Sequence, residues 1–563
     1  MTKYEKIWWV KALAAVGSGL LLWGAFPPVS QSDSAWMALV PLFLVIRVST
    51  PRGAFGWSFV CGVIFWLLTL SWFPAIIKNG GPWPLVLLGQ AGLSVWCALF
   101  MALFGAASAR IWRWAGAVAG WRRVLAVTVC DPLLWVGSEY LRGWLLSGFA
   151  WNFLGVSQVA QVSLIQVASV AGVYAVSALV ILVNGSVAGL LARAVRPITA
   201  RIMGSRDWVC DKGFVSRLMR SAESSLPFVL VLLAWYWGGV RMREWRVRAH
   251  DQASWRIALV QPNSPCIFTV NDHTVCAQRQ RLLDQTRLVG AAKPDLVVWP
   301  ETAVMGAVPE DPDAMQVIRE GAVLASAPLL TGALEIERVD KTTQAPEGML
   351  FYNAAWLFSS TGEAMGAYRK QHLVPFGEYI PLDKQIPVLQ RFAPTGVSCT
   401  AGLKSGVLYV SRAPNDTLAV GPLICFEDTV ASLSRRAVQT GARLLILMTN
   451  DAWFNGSIEP LQHLQQAVFR AVENGVPLVR AANSGVSCAV DVLGQVRGLT
   501  SQGEVADFDG FLVTPVQVPS QPFFAPYVRW GDWVLAIPGA LVLLLLTLGG
   551  FMSDQWQKKK ELK

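Results

Sequence analysis

The chain has 563 residues, of which 53% are hydrophobic and only 15% charged, against about 25% charge in soluble domains, so part of it belongs in a bilayer. The net charge of +10 is unevenly placed: residues 254–518 carry 20 Lys+Arg against 25 Asp+Glu, while the remainder carries 27 against 12. The basic excess therefore lies in the apolar part, as charge flanking membrane spans, which argues against a nucleic-acid partner.

Residues 1–245 read as a bundle of seven transmembrane helices, over 9–26, 35–50, 54–76, 84–109, 124–141, 163–192 and 226–240. The second and seventh are short for the roughly 20 residues that a span needs. The first lacks a small-residue cleavage site and reads as a retained helix. An eighth span is predicted over 530–551, within a C-terminal segment, 519–563, that also supplies a return linker and a basic tail. The 26 tryptophans suit rings anchored at bilayer interfaces.

Loop charges alternate. Arg47 and Arg52, then Arg110, Arg113, Arg122 and Arg123, then a run from Arg193 to Arg220, fall on one side, with the tail "QKKKELK". The opposite loops, "PPVSQSDS" and "IKNGGPWP", carry almost no basic residues. By the positive-inside rule both termini are cytoplasmic and residues 241–529 lie outside, with the basic "RMREWRVR" as the dissenting stretch. Asp131 and Glu139 fall at membrane depth, where acids are functional candidates. The structural alternative is an i,i+3 pair between Glu139 and Arg142.

Residues 254–518 change character. Short apolar runs such as "WRIALVQPN", "DLVVWPE", "LAVGPLICFED" and "RLLILMTNDAW" alternate with helix-like stretches at 274–290 and 459–474. Continuous apolar strands separated by helices predict one α/β domain with a helix-covered sheet. Five of the nine cysteines lie here, an odd number that leaves at least one thiol free. Neither the cysteines nor His250, His273, His372 and His463 have zinc-ligand spacing, so no metal or other cofactor is expected.

Three strand ends carry chemistry: Glu301 closes "DLVVWPE", Lys370 follows "AYR", and Cys425 closes "GPLIC". Sites in α/β sheets gather at carboxyl ends of strands. Together the three would form a nucleophilic centre. Glu301 would take the thiol proton, and Lys370 would favour the thiolate and hold an oxyanion beside the N–H that follows the cysteine. Each residue also has an ordinary reading, as a turn acid, a surface cation and a core thiol. A competing pairing gives Cys425 a histidine base, His372 or His463. The stretch 373–396 is Pro-rich, with Phe376, Ile380, Ile386, Leu389 and Phe392 either as parts of a lid or acyl guide or as a packed loop covering the core.

"VVWPE", "YRKQHLVPFGEYIP", "GPLICFED" and "TNDAWF" resemble nitrilase-superfamily motifs, and with "SEYLRGWLLSGFAW" the whole chain resembles the apolipoprotein N-acyltransferase family. That resemblance implies a polytopic α-helical membrane protein of about eight spans. It implies an extracytoplasmic nitrilase-like α/β domain (an α-β-β-α sandwich) at 254–518. It also implies a Glu301–Lys370–Cys425 triad, with Glu378 and Glu427 as accessory acids. Phe426 stands where members often have tyrosine, and Trp453 would line the pocket. The implied reaction passes an acyl chain from a phospholipid, phosphatidylethanolamine, through a Cys425 thioester to a diacylglyceryl-cysteine amine on a lipoprotein. The setting would be the bacterial cytoplasmic (inner) membrane, the protein a monomer. Two rivals share parts of this pattern: a membrane-tethered amidase, and a transporter or receptor with a degenerate nitrilase-like domain.

Overall fold

The computed structural model describes residues 3–116, 120–203, 214–265, 272–340, 348–381, 398–404 and 406–547. The chain divides into two compact units, one of Met1–Phe73, Pro84–Arg241 and Trp530–Lys563, the other of Pro74–Trp83 and Met242–Arg529.

The first unit is helical. Among the described residues, six helices are long and apolar enough to cross a membrane: Pro51–Thr69, Trp83–Ala115, Trp121–Ser147, Val173–Ala194, Arg217–Asp251 and Pro526–Thr547. Trp8–Gly24 and Val162–Ala171 are shorter apolar helices. The apolar run at 35–50 is two short helices, Ala35–Ala38 and Val40–Arg47, and the run at 163–192 is interrupted at Gly172, whose φ is +69°. Hydropathy alone does not report such breaks, because a kinked run is as apolar as a straight one. The start at Pro51 is explicit: Thr50 caps it by accepting the Gly53 N–H at 3.0 Å, and Pro51 needs no intrahelical partner. Gly137 and Gly539 meet backbone to backbone, so a side chain at either would collide with the other helix. Small residues of this kind let apolar helices approach closely where hydrophobic burial offers little drive.

The expected Glu139–Arg142 pair takes a different form. Glu139 Oε1 accepts the Trp135 indole N–H at 2.9 Å and the Leu154 N–H at 2.6 Å. Arg142 Nη1 donates to the carbonyls of Phe149 and Trp151 at 2.7 and 2.8 Å. Both side chains are buried, and each ties the helix to the irregular stretch that follows it. Asp131 is likewise absorbed, accepting from Ser108 Oγ at 2.7 Å and Trp112 Nε1 at 2.9 Å.

The second unit holds the strands β1 (Ala253–Gln261), β2 (Leu296–Val298), β3 (Val304–Val308), β4 (Leu329–Arg338), β5 (Met349–Phe358), β6 (Ala364–Arg369), β7 (Leu408–Ala413), β8 (Asp416–Ile424), β9 (Leu444–Thr449), β10 (Leu478–Ala482), β11 (Cys488–Val490), β12 (Val496–Gly498) and β13 (Gly510–Val518). Its helices are α1 (Asp272–Gly290), α2 (Pro312–Ala325), α3 (Ala431–Gln439) and α4 (Glu459–Asn474). One sheet runs β13-β1-β2-β4-β5-β6, with β3 also paired to β4; the other runs β12-β11-β10-β9-β8-β7. The pairs β1–β2, β2–β4, β3–β4, β8–β9 and β9–β10 are parallel, and β1–β13, β4–β5, β5–β6, β7–β8, β10–β11 and β11–β12 are antiparallel.

Two apolar layers explain the near-continuous strand runs. Ile257, Leu259 and Val298 share one buried cluster with Val420, Ile424, Ile446 and Val479 of the other sheet. Ala258, Val260 and Val297 turn the other way, onto Leu282 and Val289 of α1 and Ile318 and Ala322 of α2. Alternate residues of one strand thus serve two cores, so neither face is free to be polar. The two sheets pack face to face, with α1 and α2 against the outer side of the first.

Candidate active site

The nucleophile candidate sits on a strained turn. β8 ends at Ile424, and Cys425 opens the turn Cys425–Thr429 with φ +51°, in the left-handed region. For a residue with a Cβ this costs roughly 1–2 kcal/mol and persists only when surrounding contacts hold it. Glu427 supplies that hold. Its Oε2 accepts the Ile424 N–H at 2.9 Å, spanning the strained residue, while Oε1 accepts the N–H groups of Gln371 at 2.7 Å and His372 at 3.1 Å. Tyr368 Oη donates to the same carboxylate at 2.9 Å. One buried acid thus fixes the backbone on both sides of the site, immediately before Cys425 and immediately after Lys370.

Lys370 follows β6 and is 1% exposed. Arg369 turns away to Glu335 and Glu337, at 2.5 and 2.7 Å, which leaves Lys370 alone to enter the interior. Its Nζ lies 2.9 Å from Glu378 and 3.6 Å from Glu301 Oε1. Burial disfavours its charge, yet Glu378 and Glu301 together hold its pKa well above the ordinary lysine value.

Glu301 lies just past β2, and Gly332 of β4 passes so near that an added Cβ would stand 2.6 Å from the Glu301 Cα. Its Oε1 accepts Asn353 Nδ2 at 2.7 Å, and its Oε2 accepts the Asn450 N–H at 3.0 Å. The same Asn353 amide donates to Glu378 Oε1 at 2.8 Å, and Glu378 Oε2 accepts the Val374 N–H at 2.9 Å. Burial raises Glu301's pKa; Lys370 opposes this and Glu378 reinforces it. The Cys425 thiol is pushed well above its ordinary range by burial and by Glu301, with Lys370 pulling back. Burial and Glu301 thus favour the neutral thiol, and Glu301 lies beside the Lys370 ammonium.

Glu301, Lys370 and Glu378 are thus joined through Asn353 into one assembly, and Glu427 separately ties the Cys425 turn to the backbone after Lys370. Phe426 stacks on His372, ring centroids 5.9 Å apart and planes at 24°. Trp453 belongs to the turn Asp451–Phe454 after β9, adjoining Asn450, and its carbonyl accepts Asn79 Nδ2 at 2.8 Å. The histidine alternatives fare unequally. His463 is consumed by buried carboxylates, with Nε2 3.0 Å from Asp428 and Nδ1 3.1 Å from Asp451. The pKa of His372 is lowered by burial and by Lys370, which keeps the ring neutral beside the site.

Two residues of the assembly were not among the sequence candidates. Asn353 lies mid-strand in β5, where alternation marks a face but not a partner, and Tyr368 reads as a strand aromatic. Of the lid candidates, Phe376 is 68% exposed with φ +62°, whereas Ile380 is buried. Ile386, Leu389 and Phe392 lie outside the described residues.

Comparison with known proteins accounts for both units. Residues 18–186 match the family described as Apolipoprotein N-acyltransferase N-terminal domain, and residues 256–509 match Carbon-nitrogen hydrolase. The apolipoprotein N-acyltransferase of Geobacter metallireducens is 32% identical over 541 residues, covering 95% of this chain and 94% of its own. That of Azotobacter vinelandii is 32% identical over 555 residues, with 95% and 94% covered. Among solved structures, an amidase from Nesterenkonia sp. aligns with 48% of this chain and 92% of its own at 20% identity and a TM-score of 0.34. With an identity of 32% sustained across nearly the full length of both chains, this chain belongs to the apolipoprotein N-acyltransferase family.

Proposed function

We propose that Cys425 is the nucleophile of a two-step acyl transfer, from a membrane phospholipid to the α-amine of the N-terminal diacylglyceryl-cysteine of an apolipoprotein. The observation that carries this is the strained thiol-bearing turn locked by Glu427 to the backbone that presents Lys370, with Glu301 tethered beside that lysine.

In the first step the Glu301 carboxylate accepts the Sγ proton and sulfur attacks the ester carbonyl. Lys370 Nζ stabilises the oxyanion as the carbonyl π bond opens. Collapse breaks the ester C–O bond, Glu301 returns the proton to the leaving oxygen, and a lysophospholipid departs. In the second step the free amine attacks the thioester carbonyl and Glu301 accepts a proton from nitrogen. The C–S bond breaks, the thiolate is reprotonated, and the amide is released. Splitting one difficult aminolysis into two acyl transfers is the gain from covalent catalysis. Glu378 and Asn353 hold Lys370 and Glu301 in register, and Trp453 and Phe426 line the approach to sulfur.

The same reading places the protein in the bacterial cytoplasmic (inner) membrane, with about eight spans, both termini cytoplasmic and the catalytic domain on the periplasmic side. Basic stretches of the sequence, such as 110–123 and 193–220, support that orientation. The preferred donor is phosphatidylethanolamine, and the working unit is a monomer.

Proteoliposomes containing the full chain, given phosphatidylethanolamine and a diacylglyceryl peptide, test this. N-acylated peptide formed with parallel double-reciprocal lines supports it. Release of free fatty acid without N-acyl peptide would make the protein a hydrolase instead.

A further inference from the structure

We infer that His463 is a positioning residue, a buried strut that fixes the nucleophile turn to the turn that grips Glu301; this rests on the acyl-transfer reading of Cys425. His463 lies on α4, 2% exposed, some distance in sequence from every residue of the assembly. Its two ring nitrogens reach opposite walls. Nε2 is 3.0 Å from Oδ1 of Asp428, which stands three residues after Cys425 in the same turn. Nδ1 is 3.1 Å from Oδ1 of Asp451, the residue after Asn450, whose N–H holds Glu301 Oε2 at 3.0 Å. A single imidazole therefore bridges the element that carries the thiol and the element that aims its base.

The rest of the cluster shows why a cation belongs there. Arg480 of β10 donates to Asp451 Oδ2 at 2.7 Å and lies 2.9 Å from His463 Nδ1. Thr449 Oγ1 donates to Asp451 Oδ1 at 2.7 Å, and Glu459 Oε1 is 3.4 Å from Nδ1. Asp451, Glu459 and His463 have the ligand atoms of a metal site, but two of these groups already have the Arg480 guanidinium as a neighbour, 2.7 Å from Asp451 Oδ2 and 2.9 Å from His463 Nδ1. Burial and the neighbouring Arg480 work against a charged imidazole, but Asp428 and Asp451 outweigh them and raise its pKa well above the ordinary histidine value. Burial and Asp451 push Glu459 up to about 8, so it stays protonated at neutral pH. The imidazolium and Arg480 then face the carboxylates of Asp428 and Asp451, two charges against two. Such a network is poor at adding stability compared with apolar packing of the same volume. Its return is geometric, because each acid anchors a different wall of the site.

The test uses the full chain in proteoliposomes, comparing wild type, His463→Gln and Asp428→Asn. Gln retains one of the two bonds; Asn retains the acceptor oxygen without the charge. Three readouts are taken: the single-turnover rate of Cys425 thioester formation from phosphatidylethanolamine, KM for that lipid, and the rate of Cys425 alkylation by iodoacetamide. His463→Gln is expected to slow thioester formation by about 10- to 100-fold, the range that a misplacement near 1 Å produces. KM should stay within twofold and alkylation should slow in parallel, with Asp428→Asn giving a smaller loss of the same kind. A folded His463→Gln acylating within threefold of wild type, or losing rate only through KM, would overturn the inference; if that variant does not fold, Asp428→Asn decides by the same criteria. A wild type that forms no thioester removes the acyl-transfer reading and this inference with it. A wild type that forms one, matched by His463→Gln, removes this inference alone.

Discussion

Glu427→Gln is the sharpest probe of how the site is held. Glu427 is fully buried and meets four donors, the N–H groups of Ile424, Gln371 and His372 and the Tyr368 hydroxyl. Only an ionised carboxylate satisfies four donors, so the amide is a poor isostere here. If the Gln oxygen stays with Gln371 and His372, its NH2 group faces the Ile424 N–H, donor against donor. One charge-assisted bond is lost, at about 1.5–3 kcal/mol, and a buried N–H is orphaned, at about 1–3 kcal/mol. Allowing for overlap, the expected destabilisation is about 3–5 kcal/mol, which lowers Tm by roughly 6–20 °C for a domain of this size. Because the released bond spans the strained Cys425, thioester formation should fall by more than ~100-fold at temperatures where the variant is folded. Thermal unfolding of the purified protein and single-turnover acylation read the two effects separately. A variant with Tm within 2 °C of wild type and a rate within threefold would refute the claim that Glu427 holds the turn.

The other predictions follow from the same contacts. Asn353→Ala removes one amide from two carboxylates, at about 1.5–3 kcal/mol per charged hydrogen bond, and should slow acylation at least ~10-fold with lipid KM little changed. Glu301 must be ionised to accept the thiol proton, and burial, opposed by Lys370 and reinforced by Glu378, raises its pKa. The acid limb of the acylation rate should therefore lie above the ordinary glutamate value of about 4.3, and Glu378→Gln should move that limb to lower pH. Asp451 is pushed up by burial but held well below the ordinary aspartate value by Arg480 and His463. The stability it contributes is therefore present above about pH 3.9 and lost as pH falls toward its folded value, so Asp451→Asn should flatten the acid side of a Tm–pH curve. Arg142→Leu leaves the carbonyls of Phe149 and Trp151 without their buried donor, and should reduce the yield of monodisperse protein in detergent.

Much of this was legible because the chemistry sits where strands end. Glu301 and Cys425 each follow an apolar run that two buried sheet faces force to be continuous, whereas Lys370 follows the largely exposed edge strand β6. Lys370 shows where sequence reading falls short. Next to Arg369 it has the look of a surface cation, and only the pairing of Arg369 with Glu335 and Glu337 separates the two. Asn353 was invisible for a related reason, since strand alternation gives a face while its partners come from two distant segments. Glu427 is expected as an accessory acid, yet three of its four donors are backbone N–H groups, which carry no sequence signature. Glu139 and Arg142 were read as each other's partners from spacing alone. Their hydrogen bonds go instead to Trp135 and to backbone groups in 149–154, an irregular stretch whose path periodicity does not encode.

The central claim is that Cys425 carries the acyl chain. Incubating the purified protein with phosphatidylethanolamine and mapping the Cys425 peptide by mass spectrometry, with Cys425→Ala alongside, tests it most directly. The account predicts a hydroxylamine-labile acyl adduct on Cys425, absent from the variant and discharged by a diacylglyceryl peptide as an N-acyl product. An unmodified Cys425 in protein that makes the product, or a Cys425→Ala variant that still makes it, would contradict the account and return that thiol to the core.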